Sequence, residues 1–126
     1  MERILKACRD ICTTANHSVN FANDFDRLQL ENDPDLPPLK LLQDVPTRWN
    51  SSFLMLQRIS QLKDVILKMA ANDEYKSLKQ LKSGDWVVIS NAVEVLKPFF
   101  EITEQLSHNS ACISEVFHYL FKDQDL

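Results

Sequence analysis

The sequence predicts an all-α fold, an irregular bundle of about four to five helices that forms a single helical region over residues 1–126. Apolar residues recur at spacings of three and four along most of the chain, which is the period of a helix packed on one side. The composition, 44% apolar and 25% charged residues over 126 positions, is that of one compact soluble domain. The single glycine, Gly84, excludes the Gly-rich loops that bind phosphate or dinucleotides.

Residues 1–31 are predicted to form the first helix, with a gap in its apolar pattern at Ser18. An Asn-Asp-Pro sequence at 32–34 ends this helix, because proline cannot continue it. Residues 32–46 then form a Pro-rich connector. The residues expected to hold the connector against the domain are Leu39, Leu41 and Leu42.

Residues 47–126 are predicted to form a helical bundle. Thr47 is expected to cap the first of these helices, because its hydroxyl can accept a hydrogen bond from a free amide of the first turn. The apolar seam of that helix consists of Met55, Ile59, Leu62, Ile66 and Met69. A weaker helical stretch over 74–81 follows and leads to a turn at Ser83 and Gly84.

The next helix is predicted to be the most buried, because two adjacent apolar seams indicate packing against more than one neighbour. The first seam contains Trp86, Ile89, Val93, Leu96 and Phe100. The second seam contains Val88, Ala92, Val95, Phe99, Ile102 and Leu106. Pro98 is expected to kink this helix. A last helix is predicted from the apolar pattern of Ile113, Val116, Phe117, Leu120 and Phe121.

Cysteine usage predicts a reduced intracellular protein. The three cysteines, Cys8, Cys12 and Cys112, are an odd number, and the first two lie one helical turn apart. Cys8, Cys12 and His17 are close in sequence, but they lack the C-x-x-C spacing and the second ligand pair of a zinc site. No metal and no cofactor are therefore expected. The apolar runs are too short for a membrane span, and the amino end does not have the form of a secretory signal, so no membrane partner is expected.

The net charge of −4 is unevenly distributed. Residues 47–82 carry seven basic and three acidic side chains, whereas the rest of the chain is acidic. Because binding to a polyanion depends on cations that displace counterions, we expect this chain to bind DNA only weakly by itself. On charge alone, an ordinary solvated helix face is the favoured interpretation of the basic segment, and a local DNA contact is the alternative.

One motif carries most of the functional information. The segment from Asp44 to Arg58, DVPTRWNSSFLMLQR, closely resembles the D-V-x-T-R-W-N-S-[ST]-[YF]-x-M-L-x-R signature of hAT-superfamily transposases and of the BED-type zinc-finger (ZBED) proteins related to them. Looser similarity to the same family covers a K-x-C-R pattern at residues 6–9 and a V-L-K-P-F pattern at residues 95–99. The stretch after Leu106 departs from the family pattern.

The resemblance implies a helical insertion of an RNase H-like transposase domain. In that family the metal-binding carboxylates lie on the RNase H-like core, which we place before residue 1 and after residue 126. Two-metal phosphoryl transfer needs carboxylates that hold the metals about 3.5–4 Å apart, so the chain is expected to be a fragment that is not an enzyme. For Asp44, which has no acidic partner in the motif, a loop or capping role is expected. The resemblance further implies a nuclear parent protein that acts in DNA binding, transposition or transcription regulation.

The candidate DNA contacts implied by the resemblance are Arg48, Trp49, Asn50 and Arg58. The corresponding Arg-Trp of the family lies beside the active site, where the tryptophan is thought to stabilise distorted or flipped DNA. The alternative is structural: Trp49 packs in the core with Phe53 and Leu56, and Arg48 pairs with Asp44. A second functional hypothesis is a helical module that binds protein partners or self-associates, which an exposed seam on the long helix would favour.

Overall fold

The computed structural model describes residues 1–45, 47–71 and 75–108, and within these ranges the chain is helical with no β-strand. The predicted all-α fold is therefore confirmed. The elements in chain order are α1 (Glu2–His17), α2 (Val19–Asn32), α3 (Trp49–Gln61), α4 (Lys63–Ala70), a 3₁₀ helix (Lys76–Gln80) and α5 (Ser83–His108). The helix predicted over 109–126 lies outside the described residues.

The prediction of one helix over residues 1–31 is wrong, because Ser18 separates α1 from α2. Ser18 has an extended backbone, with φ −116° and ψ 113°, and its Oγ accepts a hydrogen bond from the amide of Phe21 at 3.2 Å. This is the geometry of a serine N-cap, which provides a partner for an otherwise unpaired amide. The gap in the apolar pattern at Ser18 is therefore the position at which a second helix begins.

The second predicted helix is also two helices, and its expected cap is wrong. Leu62 lies between α3 and α4 with φ −101° and ψ 17°, and its amide is shared among carbonyls of the preceding turn. The N-cap position of α3 is Arg48 rather than Thr47, and no side chain caps the helix there. The predicted seam nevertheless survives the break: all five of its residues are buried, at 0–7% exposure.

The hydrophobic core lies between α1, α2, α3, α4 and the amino-terminal part of α5. Its fully buried members include Ile11, Phe21, Met55 and Ile66. Burying a side chain of this size contributes about 1.5–3 kcal/mol. The ring of Phe21 meets that of Tyr75 edge-on at 5.1 Å, which ties α2 to the segment before the 3₁₀ helix.

Only one of the three leucines expected to hold the connector is buried, and hydrogen bonds add to its contact with α2. Leu41 is buried, but Leu39 and Leu42 remain 40% and 39% exposed. The side-chain amide of Gln29 accepts from the Leu39 amide at 2.7 Å and donates to the Leu39 carbonyl at 2.8 Å. The connector therefore runs along α2 in a fixed register before it reaches α3.

Helix α5 is not the most buried helix, contrary to the sequence prediction. One seam does face the core: Trp86 and Ile89 are buried, and the ring centroid of Phe100 lies 4.6 Å from that of Phe53, with the two rings tilted by 31°. The second seam is exposed within the described part of the chain, because α5 packs mainly against α3 and only on one side. The large apolar residues of that seam, all 40–63% exposed, are Val88, Val95, Phe99, Ile102 and Leu106.

Candidate nucleic-acid interface

The candidate site is the turn that enters α3. Its backbone is closed by a hydrogen bond from the Arg48 amide to the Val45 carbonyl, at 2.9 Å. The hydroxyl of Ser51 accepts from the Val45 amide at 2.9 Å and lies 2.8 Å from the Arg48 carbonyl. This serine therefore contacts backbone groups on both sides of the turn, at Val45 and at Arg48.

Asp44 anchors the turn to the rest of the domain. Its side chain is fully buried, and its two oxygens accept from Nε and Nη2 of Arg9 at 2.8 and 3.0 Å. The hydroxyl of Ser52, in the first turn of α3, donates to the same carboxylate at 2.6 Å. The hydrogen bonds from Arg9 hold the pKa of Asp44 below its usual range, although burial alone would raise it. The structural alternative in which Arg48 pairs with Asp44 is therefore contradicted, because Arg9 is the partner of Asp44.

Arg48, Trp49 and Asn50 lie together at a surface cavity of about 500 Å³, whose lining also includes Thr47, Ser51 and Leu54. Trp49 is 45% exposed, whereas Phe53 and Leu56 are buried. The alternative in which Trp49 joins those two residues in the core is therefore contradicted. The guanidinium of Arg48 forms no hydrogen bond or ion pair with any residue that the structure describes.

Asn50 adds an unusual polar atom to this cavity. Its side-chain oxygen Oδ1 is buried and has no hydrogen-bond partner within the described ranges. A buried acceptor without a partner is costly, by about 1–3 kcal/mol, so natural proteins contain few of them. Among the described residues, Asn50 thus joins Arg48 as a side chain of the junction that has unused hydrogen-bonding capacity.

The structure separates Arg58 from the other three candidates. Arg58 follows Trp49 by nine residues on α3, which places it on the opposite side of the helix and roughly 13 Å along its axis. Its Nη1 donates to the carbonyl of Lys40 at 2.8 Å. Arg58 thus contacts the connector, and it does not line the cavity beside Trp49.

The structural role of Arg9 is absent from the sequence prediction. Arg9 belongs to the K-x-C-R pattern at residues 6–9, but it precedes Asp44 by 35 residues, so their pairing depends on how α1 packs against the connector. Ser51 and Ser52 belong to the motif, but the motif itself predicts no role for either residue. A hydroxyl residue in the first helical turn is the signal that could have indicated contacts with the preceding loop.

A metal centre does not form among the described residues, where no three His, Cys, Asp or Glu side chains come together. Cys8 and Cys12 are buried, and burial raises the pKa of each thiol to about 12, so both stay protonated at neutral pH. The Sγ of Cys12 lies 3.7 Å from the carbonyl of Leu42. The Cys12 thiol therefore contacts the connector, and both cysteines belong to the hydrophobic core.

A second cavity, of about 420 Å³, lies between α2, the connector, α3 and α4. Its lining includes Leu36, Leu62 and Val65 and is mainly apolar. It contains none of the candidate DNA contacts. None of the described helices is long and apolar enough to cross a membrane.

Comparison with known proteins agrees with the motif. The model of the ZBED1 RNase-like helical domain matches residues 1–95. The chain is 29% identical over 116 residues to human zinc finger BED domain-containing protein 4, covering 92% of this chain and 10% of that protein. It is 31% identical over 121 residues to a protein of Talaromyces stipitatus named for transcriptional regulation, covering 93% of this chain and 14% of that protein.

A maize sequence named for the AC transposase is 31% identical over 77 residues, covering 60% of this chain and 9% of that protein. The chain thus spans about a tenth to a seventh of the length of these relatives. No solved structure matches. The resemblance to hAT transposases and ZBED proteins is confirmed, and the chain belongs to the ZBED1 RNase-like helical domain family.

Proposed function

We propose that this chain is a non-catalytic helical module of a nuclear, ZBED-type protein derived from an hAT transposase, and that its Arg48–Trp49 junction contacts DNA with unpaired or distorted bases. The observation that carries this proposal is the 45% exposure of Trp49 beside Arg48, whose guanidinium has no polar partner among the residues that the structure describes. An exposed tryptophan loses apolar burial, so its position outside the core favours a role in binding.

The chemistry of the junction suits an unstacked base. The face of an indole stacks on any base, and such stacking contributes about 1–3 kcal/mol. Arg48 supplies a cation for a neighbouring phosphate, and the amino terminus of α3 adds a partial positive charge beside it. The negative charge of Asp44 is compensated by Arg9 and therefore does not oppose an approaching phosphate.

The contact is expected to be weak in the isolated chain. The net charge is −4, and the cations of the basic segment are spread over residues 47–82. A protein that neutralises only a few phosphates has low affinity and a shallow salt dependence. We propose Arg48, Trp49 and Asn50 as the residues of the interface, and we assign Arg58 to holding the connector.

Replacing Trp49 by alanine is expected to weaken binding to hairpin or mismatched DNA at low salt by about 5-fold or more, because base stacking is lost. The measurement is a fluorescence titration of labelled hairpin DNA with the full 126-residue chain. The matched control is Phe99→Ala, which removes an aromatic side chain of similar exposure, 60%, from α5. Equal affinities for both variants, or no binding by the parent at any salt concentration, would contradict the proposal.

A second candidate function is a protein-interaction module that pairs with a second copy of itself through α5. The observation that favours it is the exposed second seam, whose positions alternate by four and three from Val88 to Leu106. This spacing is typical of helices that pair with a like helix along one side. Sedimentation equilibrium would then show a dimer, and Phe99→Ser would dissociate it. A parent chain that is still monomeric at about 100 µM would contradict this function, because a specific dimer forms at lower concentrations.

A further inference from the structure

We propose that Asp44 is a positioning residue for the DNA contact: its buried carboxylate ties the Arg48–Trp49 junction to α1 and so holds both side chains ready to bind. This inference rests on the proposed DNA contact and names the group that organises it. Asp44 itself is buried and has no surface to offer a ligand. Its effect on binding must therefore pass through the turn that it anchors.

Three separate parts of the chain meet at this one carboxylate. Arg9 comes from the middle of α1, Asp44 from the end of the connector and Ser52 from the first turn of α3. Arg9 is itself well placed, because its neighbours Cys8 and Cys12 are completely buried in the core. The end of the connector is thereby tied to a rigid helix on one side and to the start of α3 on the other.

Further contacts run the connector along α1 up to Asp44. The thiol of Cys12 lies 3.7 Å from the Leu42 carbonyl, and the side chain of Asn16 donates to that of Gln43 at 3.3 Å. By contrast, no described residue forms a hydrogen bond or ion pair with the side chain of Arg48 or of Trp49. Their position depends on the backbone between Asp44 and Ser52.

Only an ionised carboxylate can make this set of contacts. It offers acceptors on both oxygens, so it can receive two parallel bonds from a guanidinium and a third from a hydroxyl. An asparagine at the same place has nearly the same shape, but it would present an NH₂ group to the donors of Arg9. Without the carboxylate, Arg48 and Trp49 are expected to gain conformational freedom, and ordering these two side chains on binding then costs free energy.

The chain contains a matched ion pair that serves as the control. Asp85 accepts from Nη1 and Nη2 of Arg3 at 3.0 and 2.6 Å and from the Lys82 amide at 3.0 Å. This pair also joins α1 to the start of a later helix, but that helix is α5. Asp85→Asn therefore removes a second bidentate Arg–Asp pair, more exposed than the first because the Arg3 side chain keeps 62% of its surface in water, and it does not alter the turn before α3.

The experiment follows the fluorescence anisotropy of Trp49 and the affinity for hairpin DNA in the full-length chain. All variants carry Trp86→Phe, so that Trp49 is the sole tryptophan, and each is checked to be folded by circular dichroism. Asp44→Asn is expected to lower the anisotropy of Trp49 and to weaken DNA binding by about 5-fold. Asp85→Asn is expected to leave both readouts at the parent's values.

Ser52→Ala gives a second variant that keeps the ion pair and removes only its link to α3, and an intermediate loss of anisotropy is expected. It decides the question if Asp44→Asn does not fold. Unchanged Trp49 anisotropy and DNA affinity in Asp44→Asn, or equal changes in Asp85→Asn, would overturn the proposal. If the parent does not bind DNA, the proposed function fails, whereas the anisotropy still decides whether Asp44 positions Trp49.

Discussion

Replacing Phe53 by alanine is expected to lower the free energy of unfolding by about 3–5 kcal/mol. Phe53 is 1% exposed, and its ring lies 4.6 Å from that of Phe100, so it forms the centre of the contact between α3 and α5. Removing it leaves a cavity that the two helices cannot fill without moving, and it also removes the aromatic pair. Urea unfolding followed by circular dichroism measures the change.

Phe99 provides the control on the neighbouring face of α5. It is 60% exposed, so Phe99→Ala is expected to change the free energy of unfolding by less than about 0.5 kcal/mol. A loss of several kcal/mol for Phe99→Ala at low protein concentration would contradict the exposed placement of this seam. A loss below about 1 kcal/mol for Phe53→Ala would contradict the packing of α3 against α5.

The second large effect is expected for Asp44→Ala, with a loss of about 2–4 kcal/mol at neutral pH. Removing one partner of a buried ion pair costs about 3–5 kcal/mol, and the cost here is reduced because the Arg9 side chain keeps 28% of its surface in water. The variant leaves both the guanidinium of Arg9 and the hydroxyl of Ser52 without their acceptor. Urea unfolding at pH 7 gives the value.

The same pair has a defined pH dependence. The folded-state pKa of Asp44 is lowered by its hydrogen bonds from Arg9, so folding favours the ionised form. Its contribution is therefore complete well above the ordinary aspartate pKa of about 3.9, and it is lost as the pH falls below that value. The difference in unfolding free energy between the parent and Asp44→Ala should shrink between pH 6 and pH 3. A difference that stays constant over this range would contradict the assignment.

Most of the fold could be predicted because the apolar period is a local property. It located the helices and the buried seam from Met55 to Met69. It missed the breaks at Ser18 and Leu62, because short interruptions leave the spacing on either side nearly unchanged. It also misjudged α5, since an apolar seam shows that a face can be buried without showing that a partner is present to cover it.

The candidate site could be predicted only as far as the motif is contiguous. Arg48, Trp49 and Asn50 are adjacent in sequence and lie at one cavity. Arg58 belongs to the same motif but faces the connector, because helical geometry turns it away from Trp49. The pairing of Asp44 with Arg9 depends on tertiary packing across 35 residues, which neither spacing nor residue type records.

The hydrogen bonds around Asp44 separate two kinds of position in the motif, those that join helices and those that are available to a ligand, and the two are expected to differ in sequence variability. Asp44 and Ser52 join helices, so selection for a folded product preserves them even in a lineage that has abandoned nucleic acid. Trp49 is 45% exposed and the guanidinium of Arg48 has no polar partner among the described residues, so we expect the proposed DNA contact to be the main constraint on their identities. Variation at these two residues among related sequences, beside an unchanged aspartate and serine, would identify relatives in which the proposed DNA contact has been lost.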